Sequence, residues 1–241
     1  MSLSPSSILS RPSVVAVLDR LFAEADESRA DVGRRLAALS PEARAETLGD
    51  PDCRRLYGRV EGDYLAVSRT TARLLYVLAS VARARVVVEF GTSFGLSTLH
   101  LAAALHDVGG GRLVTTELFP EKAARARANL VEVGLADGVE IRVGDAMETL
   151  ARDLPASIDL VLLDGHKPLY APLLSLLEPR LRPGACVVAD NVDAAPDYAR
   201  RVRASGRYTS VTVEGDVELS VLTGAAGREE ESLSAQPPSG A

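Results

Sequence analysis

Residues 86–98 read Val-Val-Val-Glu-Phe-Gly-Thr-Ser-Phe-Gly-Leu-Ser-Thr, and this stretch limits what the chain can become more than any other. Val86, Val87 and Val88 are consecutive and β-branched, as suits a strand covered on both faces in a parallel sheet. Gly91 and Gly95 let the backbone turn sharply and approach a ligand with no Cβ in the way. Residues 96–105 then carry the pattern of a helix, whose unpaired first N–H groups would face whatever sits in the turn. Strand, glycine turn and helix together make a nucleotide-sized cradle.

The same unit recurs downstream. Gly109-Gly110-Gly111 break the chain, residues 112–116 form a second strand ending at Glu117, and residues 120–133 are helical until Gly134 stops them. Residues 139–143 make a third strand ending at Gly144-Asp145-Ala146, and residues 158–163 a fourth ending at Asp164. Residues 170–181 read as helix, Pro183-Gly184 turn the chain into a fifth strand over 185–189 that ends at Asp190-Asn191, and a last helix covers 196–204. Such alternation predicts an α/β fold with a doubly wound, mostly parallel sheet. Residues 208–213 and 217–222 flank Glu214-Gly215-Asp216 and read as a C-terminal antiparallel hairpin at the sheet edge, making seven strands.

Upstream the chain reads helical. Val14, Val17, Leu18, Leu21 and Phe22 follow the i, i+3, i+4, i+7, i+8 spacing from Pro12 onward, and this stripe would serve either the core or a homodimer. An Ala- and Arg-rich region to about Tyr57, punctuated by Pro41 and Pro51, predicts short helices. A further helix over 70–82 would bury Leu74, Leu75, Leu78 and Val81. The domain plan is then a flexible lead-in over 1–11, an N-terminal helical cap over 12–67, a sheet core over 68–223 and a disordered tail over 224–241.

Composition excludes several partners. With 241 residues and 46% apolar content the chain can bury one good-sized core. Its 27 Lys and Arg against 33 Asp and Glu leave a net charge of −6, which argues against nucleic acid. Cys53 and Cys186 match no metal-ligand spacing, and Cys186 in its apolar run reads as a buried free thiol, in keeping with a cytoplasmic protein. No run is long and apolar enough for a membrane, and the N-terminus lacks the charged-then-apolar plan of a signal peptide.

Three chemistries use a glycine turn of this kind. A dinucleotide fingerprint wants G-x-G-x-x-G, and only Gly91 and Gly95 are present. Gly91-Thr92-Ser93-Phe94-Gly95 satisfies the G-x-S-x-G elbow of serine hydrolases with Ser93 as nucleophile. That chemistry needs an acid and then a histidine downstream, but the last histidine is His166, and no HGGG-like run precedes the turn. The third is a cradle for S-adenosylmethionine (SAM), with Glu89 closing the strand and the small residues of the turn receiving the methionine part.

The strand ends fit the third. Glu117 stands near the spacing at which an acid accepts from ribose hydroxyls, and Asp145-Ala146 would meet the adenine edge. Asp159 starts its strand on the far rim and reads as structural. Asp164, Asp190 and Asn191 are hard oxygen ligands that suit an octahedral Mg²⁺, and Lys167 would stand beside it. So many carboxylates on one rim would repel without a cation or a hydroxyl-rich ligand among them.

The ordered set Glu-x-Gly-x-x-x-Gly-x-Ser from Glu89 to Ser97, then Glu117, then Asp164-x-x-Lys167, then Asp190-Asn191, resembles the metal-dependent O-methyltransferase family that includes catechol and caffeoyl-CoA O-methyltransferases. The likeness runs over about residues 68–223 and departs at Gly165-His166; residues 1–60 offer no acceptor-recognition motif. It implies a Rossmann-like methyltransferase fold with SAM held by Glu89, Gly91, Ser97, Glu117, Asp145 and Ala146, and Thr92, Ser93, Gly95 and Asp164 around it. It implies Asp164, Asp190 and Asn191 as ligands of Mg²⁺ or another divalent cation, and Lys167 as catalytic base. His166 is the other candidate base, whereas His100 and His106 read as structural. The reaction implied is methyl transfer to a small-molecule hydroxyl acceptor, a vicinal diol or catechol. The alternative outside catalysis is a non-catalytic SAM-binding protein.

Overall fold

The central strand, β1 (Val86–Phe90), pairs in parallel with β2 (Arg112–Glu117) on one side and with β4 (Ile158–Leu163) on the other. The computed structural model describes residues 7–40, 42–43 and 66–224. The short helices expected ahead of Tyr57, Cys53, most of the lead-in and the tail beyond Gly224 lie outside the described residues. With β3 (Val139–Val143), β5 (Leu181–Ala189), β6 (Tyr208–Val213) and β7 (Val217–Leu222), the strands form one seven-stranded sheet of order 3-2-1-4-5-7-6. β7 runs antiparallel to both β5 and β6, so the expected edge hairpin inserts its second strand next to the parallel set.

Register decides where the site must be. Phe90 is level with Thr116 of β2 and Leu163 of β4, and Leu163 is level with Ala189 of β5. The carboxyl ends of four strands therefore reach one rim, and the chain order reverses between β1 and β4, where open α/β sheets bind ligands.

The described helices are α1 (Pro12–Ala37), α2 (Arg69–Val81), α3 (Leu96–Asp107), α4 (Pro120–Glu132), α5 (Ala146–Thr149), α6 (Tyr170–Leu177) and α7 (Pro196–Ala204). Side chains alternate along each strand, so Val87 joins a core with α1, α2 and α3, while Val88 joins a second core with α6 and α7. α3 is buried from Leu96 to Leu105, as expected of a helix that is apolar all round. The α1 stripe of Val14, Val17, Leu18, Leu21 and Phe22 packs into the first core, which is therefore the use the chain makes of it.

Two expectations are corrected. On α2 the buried face is Thr71, Ala72, Leu75 and Ala79, with Leu74 and Leu78 half-buried and Val81 79% exposed. Leu75 is buried as expected, Thr71, Ala72 and Ala79 make the rest of that face, and the larger apolar residues Leu74, Leu78 and Val81 beside them drew the expected stripe off phase. Helix α6 ends at Leu177, because the Glu178–Arg180 turn carries Pro179, and β5 starts at Leu181 instead of residue 185. Its register against β4 slips between Leu181 and Cys186, and Pro183 and Gly184 occupy that irregular part of the strand. Cys186 is a buried free thiol pushed up to about 12 by desolvation. No helix among the described residues is long and apolar enough to cross a membrane.

Candidate active site

A cavity of about 500 Å³ opens at the strand-end rim. Its walls come from the segments that follow β1, β2, β3, β4 and β5, from the β6–β7 turn, from Arg29 of α1, and from Ser68 and Thr71 at the start of α2.

The turn after β1 is held mainly by its own neighbours. A Cβ on Gly91, whose φ is +103°, would come within 2.2 Å of the Asp164 carbonyl oxygen, so this glycine lets the β1 turn cross the end of β4. Gly95, also at positive φ, would set a Cβ 3.2 Å from Ala126 of α4, and it lies outside the cavity lining. The space these glycines clear is thus for protein backbone and helix, where ligand approach was expected. The Thr92 hydroxyl is 2.6 Å from that of Thr115 and donates to the Thr116 carbonyl at 2.9 Å, tying the turn to β2. Thr115 and Thr98 each donate to Oε2 of Glu89 at 2.6 Å. Burial pushes the Glu89 carboxyl up against the pull of these hydroxyls and that of Ser97, and its Oε1 has no hydrogen-bond partner among the described residues.

Ser93 adopts the left-handed region at φ +48°, and its N–H donates to Oε2 of Glu117 at 2.8 Å. Its buried Oγ has no partner among the described residues, while His100 is engaged by the Leu96 carbonyl and His106 by Asp107. His166 lines the same cavity, but Ser93 Oγ bonds no histidine among the described residues, so the hydrolase arrangement is not assembled there. Oε1 of Glu117 accepts from the Phe119 N–H at 3.0 Å, so two main-chain donors aim this carboxylate across the cavity. Burial pushes Glu117 up, opposed by those N–H groups and by Lys122. Asp145 caps α5 by accepting from the Met147 N–H at 2.8 Å, which sets Asp145 and Ala146 into the wall beyond β3. Asp159, on the opposite rim, accepts from the N–H groups of Arg85 and Val86 at 2.7 and 2.8 Å and pairs with Arg182, as a structural residue should.

The ends of β4 and β5 bring Asp164, Lys167, Asp190 and Asn191 to the same cavity. Burial pushes the Asp164 carboxyl up to about 7, with Lys167 opposing and the Asp190 and Glu89 carboxylates adding to it. Burial raises Asp190 as well, Lys167 pulls it back and Asp216 adds repulsion. Lys167 Nζ lies 3.5 Å from Oδ1 of Asp164 and donates to the Tyr170 hydroxyl at 2.8 Å. Asn191 takes φ +52°, and its Nδ2 donates to Oδ2 of Asp216 at 3.0 Å, which leaves Oδ1 as its remaining side-chain acceptor. Among the described residues no three His, Cys, Asp or Glu side chains converge in a ready-made metal cage.

Known proteins resemble this arrangement. A family model described as a methyltransferase domain matches residues 88–192. The chain is 35% identical over 131 residues to a catechol O-methyltransferase of Niastella koreensis, a match that covers 53% of this chain and 58% of that protein. It likewise spans 57% of a Mycobacterium tuberculosis catechol O-methyltransferase at 39% identity, so it covers little more than half the length of either relative. Against the catechol O-methyltransferase of Sus scrofa it is 32% identical over 165 residues, covering 65% of this chain and 87% of that one. The solved O-methyltransferase TomG of Streptomyces achromogenes, in complex with SAM, superposes with a TM-score of 0.59 at 32% identity, covering 74% of this chain and 90% of that one. The Bacillus cereus O-methyltransferase in complex with S-adenosylhomocysteine (SAH) gives 0.62 at 25% identity, over 74% and 91%.

The chain belongs to the catechol O-methyltransferase family of SAM-dependent O-methyltransferases.

In this O-methyltransferase chain the residues expected at the site separate by place. Gly91, Ser93, Glu117, Asp145, Ala146, Asp164, Lys167, Asp190 and Asn191 line the main cavity; Thr92 and Ser97 line a small recess beside Gly91. Glu89 and Gly95 stand behind the wall. Sequence reasoning missed Tyr170 and Asp216, whose partners lie on other elements, and Lys122, a buried lysine in the wall with Phe94 and Phe119 rings 5.7 and 5.6 Å away. One signal for Lys122 was available: the chain has only two lysines among its 27 Lys and Arg residues, and both line the cavity.

Proposed function

We propose that this protein moves the methyl group of SAM to a hydroxyl of a small vicinal diol of the catechol class, with a divalent cation, Mg²⁺ by its ligand chemistry, at Asp164, Asp190 and Asn191. The observation that carries the reading is the grouping of Lys167 with Asp164 and Asp190 in the cavity whose opposite wall presents Glu117 and Asp145. The names of relatives as catechol O-methyltransferases support the acceptor class, and solved relatives with SAM or SAH support the cofactor.

The residues present fit both groups. Oγ of Ser93, in the cavity wall, is buried with no partner among the described residues, the kind of atom that a polar group on the methionine part would satisfy. Glu117 is already aimed by two N–H groups and retains lone pairs for ribose hydroxyls. Two carboxylates and one amide oxygen are a poor cage for zinc but suit Mg²⁺, which keeps much of its water. The raised Asp164 marks a carboxyl that gains from a cation. When bound, SAM supplies an electrophilic methyl and the cation stabilises negative charge on the acceptor oxygen.

The protein's own work is then positioning and proton transfer. Nζ of Lys167 takes the acceptor's hydroxyl proton, Glu117 and the wall of Asp145 and Ala146 hold the nucleoside, and Arg29 of α1 with Ser68 and Thr71 of α2 complete the lining. The test is SAM titration by calorimetry, followed by SAH formation with a panel of small catechols in Mg²⁺ and in EDTA. Acceptor-dependent SAH that EDTA abolishes is the expected result. Binding with no turnover on any acceptor would favour the non-catalytic SAM-binding alternative, and absence of SAM binding would overturn the reading.

A further inference from the structure

Tyr170 opens α6 and is fully buried, its ring edge-on between Phe90 of β1, at 6.3 Å between centroids, and Tyr198 of α7, at 5.9 Å. Its hydroxyl donates to the main-chain carbonyl of Asp190 at 3.0 Å and accepts from Nζ of Lys167 at 2.8 Å. A phenol carries one proton. With that proton on a carbonyl, the oxygen offers the lysine only lone pairs, and so accepts from the amine whether it is charged or neutral. A core tyrosine would be satisfied by the Asp190 carbonyl alone. Here the second contact holds a long, flexible side chain against the cavity wall, with Nζ 3.5 Å from Oδ1 of Asp164 and 5.1 Å from the tyrosine ring centroid.

We propose that Tyr170 is the positioning residue for Lys167: its hydroxyl pins the amine to the main chain at the end of β5, so that the lysine and the carboxylates of Asp164 and Asp190 keep one spacing. The ring cannot follow the lysine, because aromatic neighbours on both sides fix it. The role in turnover rests on Lys167 acting as the base, whereas the hold on the amine does not, and the two can be measured apart.

Tyr170→Phe keeps the ring and removes only the oxygen. Because Lys122 and Lys167 are the only lysines in the chain, amine labelling of the full-length protein at one pH, read by peptide mass spectrometry, follows each separately, with Lys122 as internal control. Loss of one hydrogen bond to a charged group is expected to speed labelling of Lys167 by about tenfold, with Lys122 unchanged. In turnover, a displaced base is expected to lower kcat by about 10- to 100-fold while acceptor KM and SAM affinity stay within about twofold. Unchanged labelling of Lys167 would overturn the proposal. Equal acceleration of both lysines would overturn it too, since Tyr170 would then be a core residue whose loss loosens the whole wall. A rise in KM with kcat intact would also refute it. If the unmodified protein forms no SAH with any acceptor, the methyl-transfer reading fails while labelling still decides whether Tyr170 holds Lys167.

Discussion

Asp164→Asn should stabilise the metal-free protein at alkaline pH while removing metal-dependent activity. Burial raises this carboxyl from 3.8 to about 7, so the folded protein binds the proton more tightly than the unfolded chain does. For an acid shifted upward, the stabilising contribution is complete below the unfolded value and is lost as pH rises through the folded one. The window is therefore about pH 4 to 7, and at about 1.4 kcal/mol per tenfold in proton affinity the loss amounts to about 4 kcal/mol. Asparagine has the shape of the protonated acid and nothing to ionise. In EDTA at pH 8 the variant should melt about 10 °C above the parent, given about 2–4 °C per kcal/mol for a chain of this size, and at pH 4.5 the gap should nearly close. Mg²⁺ should raise the parent's melting temperature at pH 8, because a cation favours the ionised pair, and should leave the variant unmoved. Equal melting of the two proteins at pH 8 in EDTA, or the same gap at both pH values, would refute the reasoning.

Other substitutions separate the roles assigned to the rim. Lys167→Met should retain SAM binding by calorimetry and lower SAH formation by about 10²- to 10⁴-fold; near-normal turnover would remove lysine from the base role. Glu117→Gln should weaken SAM binding by about tenfold or more, because a charge-assisted acceptor becomes a neutral one, and calorimetry showing an unchanged dissociation constant would detach this carboxylate from the cofactor. Gly91→Ala should lower the denaturant midpoint by an amount equivalent to about 3 kcal/mol, since its Cβ would come within 2.2 Å of the Asp164 carbonyl at φ +103°. An undiminished midpoint would mean that the β1 turn can move away from β4.

The fold was legible where local pattern and tertiary role coincide. β4 begins and ends where its apolar run says it should, because a strand buried on a parallel sheet announces itself by continuous apolar residues, while β3 and the hairpin strands are marked by apolar–polar alternation between turn residues. α2 was partly misphased because, apart from Leu75, its buried face is made of Thr71, Ala72 and Ala79, small residues that carry little hydrophobic signal. The end of α6 and the start of β5 were misplaced because Leu181 suits helix and strand alike, and pairing with Ile158 decided between them. In the site, acids at strand ends could be read from spacing. Tyr170 could not: what makes it notable is a lysine one turn away and a carbonyl on another strand, and nothing local distinguishes it from any core tyrosine. Asp216 was hidden for the opposite reason, since an aspartate after glycine in a hairpin turn is ordinary until Asn191 is found bonded to it. Gly91 and Gly95 were singled out correctly as backbone specialists, but their neighbours turned out to be protein.

The contact between that hairpin turn and Asn191 has a bearing on how the protein is made. Asp216 holds this segment at two successive residues: its Oδ2 accepts from Nδ2 of Asn191, and its carbonyl accepts from the Val192 N–H at 2.8 Å. A chain leaving the ribosome N-terminus first can lay β1, β2 and β4 together, yet the amide that completes the acid grouping gains its partner only after residue 216 has emerged. Glu117 and Asp145 precede Asn191 and its partner Asp216 in the chain, so synthesis itself sets the order in which the two sides of the rim become available.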